Sequence, residues 1–430
     1  MVLLLGRPEQ GGHVQLPCKP SARKKRGMTK SEEWADRLRR VMPWGSSTCS
    51  KAPRLMPDEP GVIVRGKGCR VWDADGREYI DYRNSLGPVT LGYQFPAVDE
   101  AIRKQLETGI IFGHPHPLEC EVAEMLTECI PCAERVRFLK TGGEAVAACI
   151  RLARYHTGRD HVVQIGYNGW LNSLAAAGRT LPGGAAESVP PGVPAALAAL
   201  HHSGTWNDTG GLEELFKKSG DRIAALVVAA DYEQMLLGKA FYPFLRALTA
   251  RHGTVLIYDD IVTGFRLAIG GVQEYFGVKP DLAVFAKGVA NGMPLSVYCG
   301  KAEIMDKLDK AVVSSTYGGE TLSLAAAKAT IAVYHQQDVI GHIWSKSERL
   351  CSGMNELFLR RRFPAEILGL APCAALAMRP EADPALKDRF YRAAYRNGLS
   401  LYFVNYVNFC HQDSDINETL ERMDKALSDL

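Results

Sequence analysis

Two residues of opposite charge, 28 positions apart, stand at matching places in this chain: Asp259 and Lys287. Asp259 closes the apolar run Val255-Leu256-Ile257-Tyr258, and Lys287 follows Leu282-Ala283-Val284-Phe285-Ala286. Short apolar runs bounded by turn residues predict buried parallel strands. Open α/β sheets hold their ligands at strand ends, so a carboxylate and an amine delivered there can grip the two ends of one small molecule. A plain salt bridge, or two unrelated strand-end charges, has the same signature, and a third feature is needed to separate the readings.

That feature lies upstream, in Phe138-Leu139-Lys140-Thr141-Gly142-Gly143-Glu144-Ala145. It reads as a strand, a glycine turn and a helix start. Unpaired N–H groups at a helix N-terminus attract anions, and glycine lets the backbone come close to a phosphate. A phosphate cradle, a buried carboxylate that keeps a ring nitrogen protonated, and a lysine amine that forms a Schiff base are together what pyridoxal 5'-phosphate requires. Gly142 and Gly143 are the candidate phosphate donors, Asp259 the partner of the ring nitrogen and Lys287 the amine.

These residues need a scaffold. Helices are predicted near 97–107, 118–129, 144–155, 211–218, 242–251 and 320–334, and strands near 136–139, 162–165, 224–229, 254–258, 282–285 and 296–299. The alternation predicts an α/β fold with a mainly parallel central sheet covered by helices. A smaller α+β domain is expected from both chain ends. The division is 1–27 as a disordered extension rich in Gly, Pro and basic residues, 28–90 as an N-terminal segment of the small domain, 91–335 as the large domain and 336–430 as the rest of the small one. From Ser31 an amphipathic helix is expected, with Trp34, Leu38, Val41 and Met42 on its apolar face. Residues 181–204, rich in Gly, Pro, Ala and Ser, read as an irregular stretch, either an active-site lid or a solvated insert.

Composition narrows the class. The 430 residues are 46% hydrophobic and 23% charged, with a net charge of +3. This is ordinary globular composition with no call for a nucleic-acid partner. No apolar run reaches the ~20 residues of a membrane helix, and a cytoplasmic protein is the default expectation. Eleven cysteines, an odd number, argue for reduced thiols. Cys129-Ile130-Pro131-Cys132 lacks the second pair a zinc site would want, so no metal is expected.

The chain resembles the class III aminotransferases of pyridoxal phosphate fold type I, and within them the glutamate-1-semialdehyde 2,1-aminomutases. The resemblance runs from about Trp44 to the C-terminus. It rests on Val71-Trp72-Asp73-Ala74-Asp75-Gly76, the Gly142-Gly143-Glu144-Ala145 turn, Gly166-Tyr167-Asn168-Gly169, Thr263-Gly264-Phe265-Arg266, Gly270-Gly271-Val272-Gln273, Ala286-Lys287-Gly288 and Ser315-Thr316-Tyr317-Gly318-Gly319-Glu320. It implies that Lys287 also moves a proton between substrate and cofactor carbons. By the same resemblance Tyr167 and Ile261 pack on opposite faces of the cofactor ring. Thr316 reaches the phosphate of a neighbouring subunit in a homodimer, and Lys51 takes the place of a substrate-binding arginine. Several positions depart from the family: Asn168 for histidine, Asp260 for glutamate, Ala229-Ala230 for Glu-Pro, and Lys51 itself. Gln234 is a candidate partner for the cofactor's phenolic oxygen.

These departures, with Gly318-Gly319-Glu320-Thr321, lead to the expectation of an aminotransferase that takes an amine from L-glutamate. The acceptor expected is a sugar or a cyclic keto acid of the dehydroshikimate type. The alternative is glutamate-1-semialdehyde 2,1-aminomutase or a related intramolecular aminomutase.

Overall fold

A computed structural model describes residues 27–171 and 192–430. Residues 1–26 of the expected extension and residues 181–191 of the 181–204 stretch therefore lie outside the described residues.

The first three strands, β1 (Ile63–Lys67), β2 (Arg70–Asp73) and β3 (Glu78–Asp81), form an antiparallel meander. Seven strands then build the central sheet: β4 (Arg135–Leu139), β5 (His161–Ile165), β6 (His201–Gly204), β7 (Ile223–Ala229), β8 (Val255–Asp259), β9 (Leu282–Phe285) and β10 (Ser296–Gly300). Their order is β4-β10-β9-β8-β7-β5-β6. The pairs from β9 to β6 are parallel, and β10 runs antiparallel to both of its neighbours. All six expected strands and all six expected helices are present. The unforeseen strand is β6, an edge strand reading His201-His202-Ser203-Gly204, which has no apolar run to announce it.

Side chains alternate across the sheet with a period of two. Val255, Ile257, Leu282, Val284 and Tyr298 pack with the helix Gly142–Thr157. Leu256, Tyr258, Ala283, Phe285, Val297 and Cys299 belong to the opposite core, with Phe241 and Leu245 of the helix Gly238–His252 and Leu324 and Ile331 of Thr321–Gln336. Both faces are covered, which is why the strands read as continuous apolar runs.

After the helix Val339–Arg360 come β11 (Ala365–Leu368) and β12 (Ala375–Met378), an antiparallel pair. The helix Leu386–Arg396, β13 (Leu399–Ser400) and the helix Asp413–Ser428 follow. β13 pairs in parallel with β3, Leu399 opposite Ile80. Ile80 and Tyr82 share a core with Leu350, Phe358, Phe390, Ile416 and Met423. The N-terminal meander and the C-terminal helices thus bury one another's apolar faces.

The first helix, Lys30–Val41, forms as expected but turns a different face inward. Ser31 and Ala35 are buried, whereas Trp34 is 45% and Val41 82% exposed. Close packing selects the small residues: a Cβ on Gly61 would lie 2.5 Å from the Ser31 carbonyl oxygen and 2.9 Å from the Ala35 Cβ. Asp75 also orients the helix by accepting from the Lys30 and Ser31 N–H groups at 2.8 and 3.0 Å.

Candidate active site

β8 ends at Asp259, opposite Val284 of β9 and Ala229 of β7. The carboxylate is 8% exposed. Its Oδ1 accepts from the Ile261 N–H at 3.2 Å, and its Oδ2 accepts from Asn168 Nδ2 at 3.2 Å. Burial pushes its pKa up to about 6, against the pull of these two donors and of Lys287. An opposite charge brought to this buried carboxylate would favour ionisation. A protonated ring nitrogen is such a group.

Three residues beyond β9's Val284 is Lys287, at the start of the short 3₁₀ turn Lys287–Ala290. Its φ of +48° is left-handed, strained for a non-glycine residue and typical of functional sites. Burial, with Arg266 assisting, lowers its ammonium pKa to about 8 although Asp259 pulls the other way. An amine so poised is available as a nucleophile near neutral pH.

The strand, glycine turn and helix start around Gly142 form as expected. Thr141 caps the 16-residue helix Gly142–Thr157 in a reciprocal box with Glu144. The N–H groups of Gly142 and Gly143 have no acceptor among the described residues. Gly142 has a second reason to lack a side chain, since its Cβ would lie 2.3 Å from Ile261 Cδ1. Ile261 therefore presses on the first residue of the phosphate turn while its own N–H holds Asp259. We expect Gly142→Ala to lower stability by about 1–3 kcal/mol through overpacking and to weaken cofactor binding. Ile261→Val should recover part of the loss, because it removes the clashing methyl. Denaturant unfolding of both variants and the double variant checks this, and simple additivity would refute it.

Tyr167 lies beyond the end of β5, between Gly166 (φ +77°) and the buried Asn168 that bonds Asp259. Asp259, Asn168, Ile261, Gly142 and Lys287 are thus brought together. Asp260 points to the other face, where Oδ1 accepts from Thr263 Oγ1 at 2.6 Å and from the Val272 N–H at 2.8 Å. Lys51 is exposed and donates to Ser85 Oγ at 3.3 Å. Thr316 is exposed. Gln234 is exposed and bonded to Asp231 at 3.1 and 3.3 Å.

Residues that sequence reasoning did not assign complete the surroundings of Lys287. Asn84, Ser85 and Leu86 are all left-handed, with φ of +43°, +56° and +74°, and lead into Gly87 at +102°. Such turns cost about 1–2 kcal/mol per non-glycine residue and persist only where neighbours enforce them. Asn84 Nδ2 donates to the Tyr406 carbonyl at 2.6 Å, and Asn408 Nδ2 to Asn84 Oδ1 at 2.8 Å. A Cβ on Gly87 would lie 3.7 Å from Lys287 Cδ. The run of left-handed residues has no sequence signature beyond Asn and Gly.

Comparison with known proteins agrees with this geometry. The aminotransferase class-III family model matches residues 56–427. A glutamate-1-semialdehyde 2,1-aminomutase of Archaeoglobus fulgidus is 33% identical over 411 residues, covering 90% of this chain and 96% of that protein. The same enzyme of Thermus thermophilus is 32% identical over 421 residues, covering 92% and 99%. Among solved structures, the pyridoxal phosphate internal aldimine form of the FumI protein of Sphingopyxis sp. MTA144 superposes with a TM-score of 0.85, at 25% identity and covering 93% of this chain and 96% of that one.

These findings overturn the expected sugar or cyclic-keto-acid aminotransferase, since full-length relatives at this identity are named aminomutases. The structure gives the reason. Three of the residues that suggested a changed substrate pocket, Asn168, Ala229 and Glu320, make contacts within the fold. Asn168 holds Asp259. Ala229 packs against Gly166, whose Cβ would lie 3.2 Å away, and its carbonyl accepts from Trp206 Nε1 at 3.1 Å. Glu320 of the Gly-Gly-Glu-Thr sequence caps the helix Thr321–Gln336 and pairs with Lys140 at 2.9 Å.

Proposed function

Because the chain belongs to the class III aminotransferase family, a family of pyridoxal-phosphate enzymes, we propose that it is an intramolecular aminomutase acting on glutamate-1-semialdehyde. The observation that carries this reading is identity of about one third to aminomutases over nearly the whole of both chains. The amine would move from C2 to C1 of one molecule, with no net change of composition.

When bound, pyridoxal phosphate supplies an electron sink for the pair left behind when a proton leaves the amine-bearing carbon. The residues present fit it. Gly142 and Gly143 would donate to the phosphate, and Asp259 would hold the ring nitrogen, itself fixed by Asn168 and Ile261. Tyr167 and Ile261 would confine the ring between them. Lys287 would hold the aldehyde carbon through Nζ and, as a free amine, would carry the proton between the amine-bearing carbon of the substrate and the cofactor carbon. Lys51, steadied by Ser85, would meet the substrate carboxylate. A lysine makes one point contact where an arginine makes a fork, so a loose grip is expected there. Thr316, on the surface, would reach the phosphate held by a second copy of the chain.

The test supplies glutamate-1-semialdehyde and cofactor without any other amino acid. Isomerisation under these conditions supports the proposal. Turnover that requires L-glutamate and releases 2-oxoglutarate in equal amount would overturn it. Capture of the cofactor aldehyde should also report the lysine. Its ammonium is lowered to about 8, so the capture rate should rise about tenfold per pH unit below that value and level off above it, as followed by rapid-mixing absorbance.

A further inference from the structure

Arg266 is fully buried, at 0% exposure, yet it forms no ion pair among the described residues. Its Nη2 donates to the Gly87 carbonyl at 2.6 Å and its Nη1 to the Val407 carbonyl at 3.4 Å, while Nε has no partner. The guanidinium lies 4.4 Å from the centre of the Tyr406 ring. Arginine stays charged in such a place, and a buried cation held by carbonyls alone is unfavourable for stability. Its position suggests what it does instead. Gly87 is the residue whose Cβ would meet both the Tyr406 ring, at 3.5 Å, and Lys287 Cδ, at 3.7 Å. Arg266 therefore binds the Gly87 turn, which meets Lys287, to the Tyr406–Val407 segment packed on that turn.

We propose that Arg266 is a positioning residue for Lys287: it fixes the Gly87 turn and the Tyr406–Val407 segment beside the lysine, and its permanent charge opposes a second positive charge on the amine. The proposal rests on Lys287 being the cofactor-binding amine. The groups that face Lys287 are few. Asp259 attracts a proton to it and Arg266 repels one. Cys373 is pushed by burial up to about 12, and Tyr232 and Tyr406 well above their ordinary range, so all three are neutral near pH 7. Among the described residues Arg266 is thus the cation set against Asp259.

The test uses the full chain without cofactor. Acylation of Lys287 by an amine-selective reagent, resolved by peptide mass spectrometry, is followed against pH. The wild-type midpoint is expected near 8. Arg266→Gln removes the charge but keeps a donor for the Gly87 carbonyl, and Arg266→Met is the apolar control. Either should raise the midpoint by about one unit. Arg266→Lys should leave it near the wild-type value. A neutral variant that keeps the wild-type midpoint overturns the proposal, and so does a lysine variant that shifts as far as the neutral ones. If neither neutral variant folds, the lysine variant decides: a midpoint raised by about one unit overturns the proposal. Borohydride reduction of the cofactor-loaded protein separately locates the attached lysine. A label on another lysine would refute the assignment of Lys287 itself, whatever the Arg266 result.

Discussion

Lys287→Ala should leave a folded protein that still takes up pyridoxal phosphate but turns over at least about 10³-fold more slowly. Two contributions are lost together: covalent retention of the aldehyde, and a proton carrier whose pKa of about 8 lies near the working pH. The other proposed cofactor contacts, Asp259 and the Gly142 and Gly143 N–H groups, do not pass through the lysine side chain. Cofactor should therefore bind non-covalently, and dialysis should remove it faster than from the wild type. Small primary amines added to the variant should restore part of the rate, because they can enter the space the side chain vacates and carry the same proton. Turnover within tenfold of wild type would mean that another base does the work.

Asp259→Asn should separate function from stability. The amide can still accept from the Ile261 N–H through Oδ1. Its new NH₂ would face the Asn168 donor, but Asn168 Oδ1 is buried without a partner, so a flip of that amide restores the bond. What disappears is the charge. Turnover should fall by about 10²–10³, the scale of losing one preorganised electrostatic contact in a buried site. Stability of the cofactor-free protein should move the other way. The Asp259 pKa is raised by folding, from 3.8 to about 6. A raised carboxyl stabilises the fold fully below its unfolded pKa and loses that contribution as pH rises through the folded value. Between about pH 4 and 6 the wild type should therefore lose on the order of 3 kcal/mol that the Asn variant retains. Denaturant melts at pH 4 and pH 7 read the difference. Equal pH dependence in the two proteins would show that Asp259 is not held in a desolvated place.

The scaffold of this site was legible because its strands are buried on both faces and so announce themselves as apolar runs. Asp259 and Lys287 sit at the ends of such runs, where turn residues mark the boundary. β6 escaped because an edge strand need not be apolar. The first helix was found but turned wrongly, because the close approach of Gly61 to Ser31 and Ala35 rewards small side chains over Trp34. Around Lys287 the limit was distance along the chain. Arg266 could be seen as a motif residue, but its partners Gly87 and Val407 have no local pattern that points to it. Asn168 and Glu320 were noticed for the right positions and given the wrong meaning, since a changed residue near a cofactor reads from sequence just like a changed substrate contact.

The pairing of β13 with β3, Leu399 against Ile80, has a consequence for how the protein is made. The left-handed turn beside Lys287 is anchored by Tyr406 and Asn408, so residues near position 84 wait for residues beyond 400. Contacts of such sequence separation form late, after the loop between them has closed. A nascent chain on the ribosome can assemble its seven-stranded sheet while the lysine still lacks one of its walls. The surroundings of the lysine are then completed only once the segment beyond residue 400 has emerged and docked. A chain cut short after Arg396 would retain every residue assigned to the cofactor and still have no finished site.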